Sequence, residues 1–468
     1  MFLKNILSAD SGPKDGPKAS VVVIGAGIAG LTTAFRLKEA GINVTILEQS
    51  SSAGGCIRTI SQNGYLLELG PNTFLNSSER LWKLARAVGL EGDRIETPQK
   101  ISRRRFVFKK DSLIKVTGGP GILFSPLLSI RARARLLGEP FIKPLRDGVD
   151  ESLAGFVRRR LGGEVLDNLV TPFVSGIYAG DPERLSLASV FPRLSTVEKK
   201  YGSILRGMKE LKSDLKSSGL GSFKGGIGML SAALESALKD ELKKDTRVIG
   251  IDRVNDIFRV KTEKSGEASD LLAGAVILAT PAYSASGLIE PLSDSAGHAL
   301  AGIEYAPILV IHTGFKSSDV PYQLDGFGFL VPRRNRVRQL GCLWSSSLFA
   351  GRAPSENVLL TSFMGGMLDK EAMDLSNDDI MRTVLKDLSK TLSIKSRPQF
   401  ACITRYTHAI PQYHIGHQKR IADVASALEK IRGLFLTGSY FRGISVADTI
   451  EHAEGAAENA VNYLRQLS

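Results

Sequence analysis

A mixed α/β and α+β protein of more than one domain is what the sequence predicts, and three observations carry that prediction. An apolar run at residues 20–24 leads straight into Gly25-Ala26-Gly27-Ile28-Ala29-Gly30, an amphipathic segment follows and stops at Gly41, and a second apolar run ends on Glu48. Buried strand, glycine turn, helix and strand in that order make a Rossmann-like βαβ unit, the context that strengthens a GxGxxG match. At 468 residues the chain is longer than one core ordinarily holds.

Residues 1–19, rich in Gly, Pro, Ser and Lys over 8–19, read as a flexible leader with nothing to bury. After the βαβ unit, residues 225–242 look helical, 247–260 look like paired strands, and 273–282 look like a buried strand ending in a turn. Near the end, 433–440 reads as another buried strand, with a closing helix from about Asp448. The hydrophobic share of 43% with 23% charged residues is ordinary for a folded chain. Cys56, Cys342 and Cys402 lie far apart, so neither a disulfide framework nor a thiolate zinc site is indicated, and a reducing compartment fits. No apolar run approaches the roughly 18 residues of a spanning helix. The net charge of +13 is uneven, since residues 101–210 hold 20 Lys plus Arg against 11 Asp plus Glu, a difference of nine. Such a patch attracts anionic lipid, nucleic acid or acidic small molecules, and charge alone does not choose among them.

The glycine motif specifies chemistry. Gly25 permits the tight turn, Gly27 lets backbone approach a diphosphate, and Gly30 allows close helix packing, while Ile28 and Ala29 open a helix whose free N–H groups favour an anion. Glu48 stands where a carboxylate accepts from ribose hydroxyls, which argues against a 2′-phosphorylated nucleotide. Gly54-Gly55 followed by Arg58 supplies a second glycine doublet and a cation suited to the far side of the same diphosphate.

The doublet segment, together with YLLELGPNTFL (65–75), SGIYAGDPERLSLASVFPRL (175–194), YAPILVIHTGF (305–315), DGFGFLVP (325–332), IPQYHIGH (410–417) and LTGSYFRGISVADTIE (436–451), resembles the protoporphyrinogen oxidases of the flavin amine oxidase superfamily. The resemblance runs from Ser20 to Leu464. It implies a Rossmann-like FAD-binding domain assembled from discontinuous segments (20–92, 222–292 and 429–468). A mixed-sheet substrate domain (93–101, 206–221 and 293–428) and an inserted helical membrane-binding domain (102–205) complete the implied architecture. The implied cofactor is non-covalent FAD, lined by Gly25 to Gly30, Glu48, Gln49, Gly54, Gly55, Cys56, Arg58, Gly70, Pro71, Asn72 and Thr73. Val254 is implied at the adenine end, and Val446, Ala447 and Asp448 beside the pyrimidine side of the ring, where Asp448 also suits an ordinary helix N-cap.

For substrate, Arg105 resembles the arginine that pairs with a porphyrinogen propionate, Asn72 lies near ring and flavin, and Phe327, Phe329 and Trp344 are implied as apolar walls. Where the family commonly has tryptophan and proline beside the flavin, this chain has Tyr406-Thr407-His408, which leaves the cofactor contact at Tyr406 open. His414 and His417 lack a third nearby ligand, so no metal is assigned, and no general acid or base is assigned either. The implied reaction is oxidation of protoporphyrinogen IX to protoporphyrin IX in haem biosynthesis, with hydride passing to flavin and on to dioxygen to give hydrogen peroxide. The same chemistry on coproporphyrinogen III is the nearer rival, and a non-catalytic flavin-fold membrane-binding protein the more distant one. Implied partners are the porphyrinogen, dioxygen, an anionic membrane surface, a second copy in a homodimer and the next haem-pathway enzyme, but no nucleic acid. The implied location is cytoplasmic, peripheral to the inner face of a membrane.

Overall fold

The computed structural model describes residues 20–117, 119–145, 148–208, 219–254, 256–333 and 335–467. The leader at 1–19 and Arg334 fall outside them. Five strands form a wholly parallel sheet in the order Leu242–Lys243, Asn43–Leu47, Ser20–Ile24, Ala275–Leu278, Leu434–Leu436. Parallel sheets are covered on both faces, and Val21 to Ile24 and Ala275 to Leu278 are accordingly buried end to end.

The helix Ile28–Glu39 covers one face and ends as expected. Gly41, at φ +75°, donates to Lys38 O at 3.0 Å while Ile42 N–H reaches back to Leu37 O. The closing helix Val446–Leu467 packs against it, tied by Thr33 Oγ1 donating to Ala453 O at 3.1 Å and by Arg36 to Glu454 at 2.7 Å. The helix expected over 225–242 is shorter, Gly228–Ala237, because the chain turns at Leu238 and releases Leu242–Lys243 to the sheet edge. The expected pairing around 247–260 forms as Arg247–Val254 against Ile257–Lys264, extended by Glu267–Ala273.

A second, seven-stranded sheet runs in the order Phe400–Pro411, Tyr305–Lys316, Asn357–Gly365, Gly341–Leu343, Gly328–Leu330, Arg105–Lys109, Ser112–Lys115. This corrects one expected boundary. Residues 102–205 are not a purely helical insertion, since Phe106 pairs with Phe329 and Lys115, so 105–115 belong to this sheet. Alternating β-forming residues RFVFK are drawn into the ladder by the apolar core below.

One face of the sheet buries Phe106, Leu309, Ile311, Phe315, Phe329 and Met364 against helix Asn377–Leu392. The opposite face turns toward the rest of the molecule. There Leu330 lies against Gly176 of helix Thr171–Tyr178, and Gly314 lies under the Tyr65 ring.

The helices Ile130–Leu137, Leu153–Arg160, Thr171–Tyr178 and Pro192–Tyr201 enclose a core that includes Leu136, Phe156, Val174 and Leu187. Through this core runs a fully buried cation. Arg160 meets Glu198 at 2.6 Å and Glu139 at 3.1 Å and donates to Ile142 O and Gly202 O. Removing one partner of a buried pair strands the other charge, at a cost of about 3–5 kcal/mol. Arg160→Met is therefore expected to lower the thermal denaturation midpoint and to expose the helical segment to limited proteolysis. An unchanged midpoint and cleavage pattern contradicts this role.

Candidate functional site

The glycine turn is a backbone cradle. A side chain on Gly30 would strike Gly25 O at 1.8 Å, and Gly25, at φ +100°, sits against Ala279 and Thr280. A side chain on Gly27 would meet nothing within 4 Å. The open side of the cradle is therefore at Gly27, where the helix begins without a side-chain cap and its first N–H groups point outward. The doublet closes it, since Gly54 donates to Ala26 O at 2.8 Å and Gly55 approaches the Gly27 Cα. Glu48 accepts from Ala26 N–H and from Ser50 N–H, both at 2.8 Å, which holds its carboxylate beside the turn with lone pairs to spare.

Buried hydroxyls at Thr280, beside Gly25, and at Thr437, which follows the strand Leu434–Leu436, have no hydrogen-bond partner among the described residues. An exposed cradle, a helix terminus, an acid and unsatisfied hydroxyls together fit a dinucleotide. Gln49 follows Glu48 at the exposed rim.

Val254 is not brought to this end. It is exposed at the turn of the three-stranded sheet, seven residues and about 23 Å of strand from Arg247. The backbone that flanks Glu48 is instead Lys243, whose carbonyl accepts from Glu48 N–H at 3.0 Å, and Thr246, which donates to Glu48 O at 2.9 Å. Register set by the edge strand, invisible in sequence, decides this.

At the other end, Gly70 presses on Cys56 O, where a side chain would come within 2.1 Å, so Gly70, Pro71, Asn72 and Thr73 leave the hairpin directly over the loop of Cys56 and Arg58. Asn72 Nδ2 donates to Gly70 O at 3.0 Å. Tyr406 joins this group. Burial pushes its hydroxyl up to about 12, with Cys56 and Arg58 close enough to act on it.

At the closing helix the cap is Ser445 rather than Asp448. Ser445 Oγ accepts from Asp448 N–H at 3.1 Å and donates back to the Asp448 carboxylate at 2.6 Å, a capping box. Asp448 N–H is thereby engaged, and the outward N–H groups of this turn are those of Val446 and Ala447.

The seven-stranded sheet divides the expected substrate residues. Arg105 pairs in register with Gly328, and its guanidinium lies over the Phe327 ring at 4.8 Å. Arg104 next to it is neutralised by Asp325, whereas Arg105 has no carboxylate partner among the described residues, and its surroundings press its pKa below the usual range. Phe329 and Trp344 do not reach this surface. Both are buried, at 2% and 0% exposure, in the core beneath the opposite face.

Side chains alternate across a strand, so a step of one residue moves a side chain to the other side. Leu330, Leu343 and Phe363 are among the partly exposed apolar residues on the Arg105 side, and Phe363 packs with Ile308, Val310 and Tyr406. Counting in twos from Arg105 and Gly328 finds Leu330, but Leu343 and Phe363 need the pairing of two further strands. Of the loop arginines, Arg338 is taken up by Asp369 at 2.8 and 2.9 Å, while Arg333 stands at the surface, with partial loss of water around its guanidinium lowering its pKa against the opposing pull of Asp369 and Asp181. His417 is buried against Tyr413 with Nε2 at 3.4 Å from Phe441 O, and His414 sits beside Glu304.

A family model described as flavin containing amine oxidoreductase matches residues 28–461. Coproporphyrinogen III oxidase of Bacillus subtilis (strain 168) is 31% identical over 467 residues, spanning 96% of this chain and 99% of the relative. The chloroplastic protoporphyrinogen oxidase of Nicotiana tabacum is 32% identical over 484 residues, spanning 97% and 88%. A crystal structure from Exiguobacterium sp. 255-15, provisionally named a protoporphyrinogen oxidase, superposes with a TM-score of 0.82 at 25% identity, over 96% of this chain and all of that one. Reduced UDP-galactopyranose mutase, at TM-score 0.74 and 16% identity, shares the fold.

FAD is the cofactor these comparisons support, and the glycine cradle with Glu48 fits its diphosphate and ribose. The purified protein is expected to be yellow and to release FAD on denaturation. Glu48→Ala is expected to weaken FAD retention about 10- to 100-fold by loss of charged hydrogen bonds worth about 1.5–3 kcal/mol, with the fold retained by circular dichroism. Unchanged FAD affinity in that variant refutes the assignment.

Proposed function

The chain belongs to the flavin containing amine oxidoreductase family, and on that premise we propose that it oxidises a porphyrinogen to a porphyrin in haem biosynthesis, with protoporphyrinogen IX as preferred substrate. The observation that carries this reading is Arg105. An arginine stacked on Phe327 and lacking an acid partner among the described residues, at the border of an apolar surface that includes Leu330, Leu343 and Phe363, suits a flat apolar ring bearing carboxylates.

Bound FAD supplies the chemistry, accepting hydride from the ring and passing electrons to dioxygen to give hydrogen peroxide. The chain's own residues do the rest. Arg105 fixes a propionate through its fork, the apolar side chains exclude water from the reacting edge, and the Val446 and Ala447 N–H groups favour negative charge at the pyrimidine side. Gly70 to Thr73 and Tyr406 would border the ring. No side chain is assigned as general acid or base.

Protoporphyrinogen carries two propionates and coproporphyrinogen four, and each carboxylate buried without a cation is costly. Arg105, without a carboxylate partner among the described residues, beside the apolar Leu330, Leu343 and Phe363 favours the dicarboxylate. The second reading, coproporphyrinogen III, is favoured by Arg333, which is exposed near Asp181 and Asp369 with no direct ion pair among the described residues. Steady-state assay of both substrates decides between them. A kcat/KM higher for protoporphyrinogen is expected, and a tenfold preference for coproporphyrinogen, about 1.4 kcal/mol, establishes the second reading instead. Arg105→Ala is expected to lower kcat/KM at least tenfold, and Arg336→Ala to leave it within twofold.

The proposed location is a membrane surface. Among the described residues no helix is long and apolar enough to cross a bilayer. Phe124, Ile130 and Phe141 stand 83%, 82% and 85% exposed, interleaved with Arg131, Arg135 and Lys143, a combination that seats in an anionic interface. Co-sedimentation with vesicles containing phosphatidylserine, reversed by salt and weakened by Phe124→Ser with Phe141→Ser, is expected. Equal sedimentation with neutral vesicles, or none with either, removes the proposal.

A further inference from the structure

A buried ion pair lies directly behind the loop proposed to border the flavin. Glu68 ends the strand Tyr65–Glu68, two residues before Gly70, and is 5% exposed. It accepts from Thr59 Oγ1 at 2.6 Å and Ile227 N–H at 2.9 Å, and faces Arg352 Nη2 at 3.3 Å. Arg352, 2% exposed, reaches across from the seven-stranded sheet's side of the molecule and donates to Ser222 Oγ at 2.8 Å and Phe223 O at 3.3 Å. A cavity of about 10 Å³, near the size that admits one water, is walled in common by Glu68, Asn72, Ser345, Leu348, Arg352 and Thr361. Asn72 thus lines the same cavity as both charges.

We infer that the Glu68–Arg352 pair sets the electrostatic potential at the flavin, its two charges cancelling behind the Gly70–Asn72 loop; this rests on the reading that the loop borders the ring. Stability alone gives little reason for the pair, because a well-packed apolar pair of similar size is commonly as stable as a buried salt bridge. Burial pushes the Glu68 carboxyl up and the Arg352 guanidinium down, and each opposes the other's shift, so the neutral sum depends on both. His312 also lies against this site. It is fully buried beside the Glu68 backbone with its pKa lowered to about 4 by that burial, and so adds no charge at neutral pH. The second buried cation, Arg160, lies within the helical core among its own carboxylates.

The test is a redox titration of the FAD-bound protein, reading the two-electron midpoint potential. Glu68→Gln leaves a cation that stabilises reduced flavin, so the potential is expected to rise. Arg352→Met leaves an anion, so it is expected to fall. Each shift should reach at least a tenfold change in the equilibrium, about 30 mV for two electrons. The double variant should return close to the wild-type value. Thr59→Val, which keeps both charges but removes a hydrogen bond from the carboxylate, should lower the potential slightly and carries the test if the single charge variants fail to fold. FAD bound with an unmoved potential, or shifts of one sign in both charge variants, overturns the inference. A wild-type protein that binds no FAD overturns the flavin reading instead.

Discussion

The contact on which the rest of this structure depends is made by backbone alone: the turn at Gly25 to Gly30 wedged between neighbouring chain segments. Gly25 N–H donates to Leu47 O, Ala279 N–H to Ile24 O and Gly54 N–H to Ala26 O, each at 2.8 Å. Segments near residues 25, 47, 54 and 279 therefore converge on one turn, and any side chain at Gly30 would collide within it. Because the helix Ile28–Glu39 starts from this turn without a side-chain cap, the turn suits an anion. Glu48 and the closing helix are held relative to it by the same parallel sheet.

A second constraint is the pleat of the seven-stranded sheet. Alternation gives every strand one set of side chains for the core beneath and another for the space above. Phe106, Phe329 and Ile311 go down, while Arg105, Leu330 and Val310 go up. The apolar ceiling and Arg105 at its border thus come from several strands distant in sequence. The functional surface is a property of the ladder rather than of a segment.

Buried charges mark the seams. Arg160 stitches the helical core to its own carboxylates, and Glu68 with Arg352 joins the nucleotide-side hairpin to the chain between the strands Gly341–Leu343 and Asn357–Gly365 of the seven-stranded sheet. In each case the cation also donates to backbone carbonyls, which limits the cost of taking it out of water. The two pairs differ in what lies next to them, apolar helix packing in one case and the Asn72 loop in the other.

The sequence by itself determined the nucleotide end. Gly25, Gly27, Gly30, Glu48, Gly54 and Gly55 act through backbone conformation and a single acid, and these depend on spacing along one continuous stretch. It also singled out Arg105, confined by three arginines in a row, though only the Asp325 partner of Arg104 separates them. Tertiary structure decided what depended on pairing between remote strands. Val254 is carried away by its hairpin, and Phe329 and Trp344 turn into the core while Leu343 and Phe363 turn out. Residues 105–115 leave the helical region for the sheet, and Ser445 takes the cap from Asp448. Local motifs encode local geometry. A side chain's facing, by contrast, is settled by register with neighbours hundreds of residues away, where a shift of one residue reverses every choice.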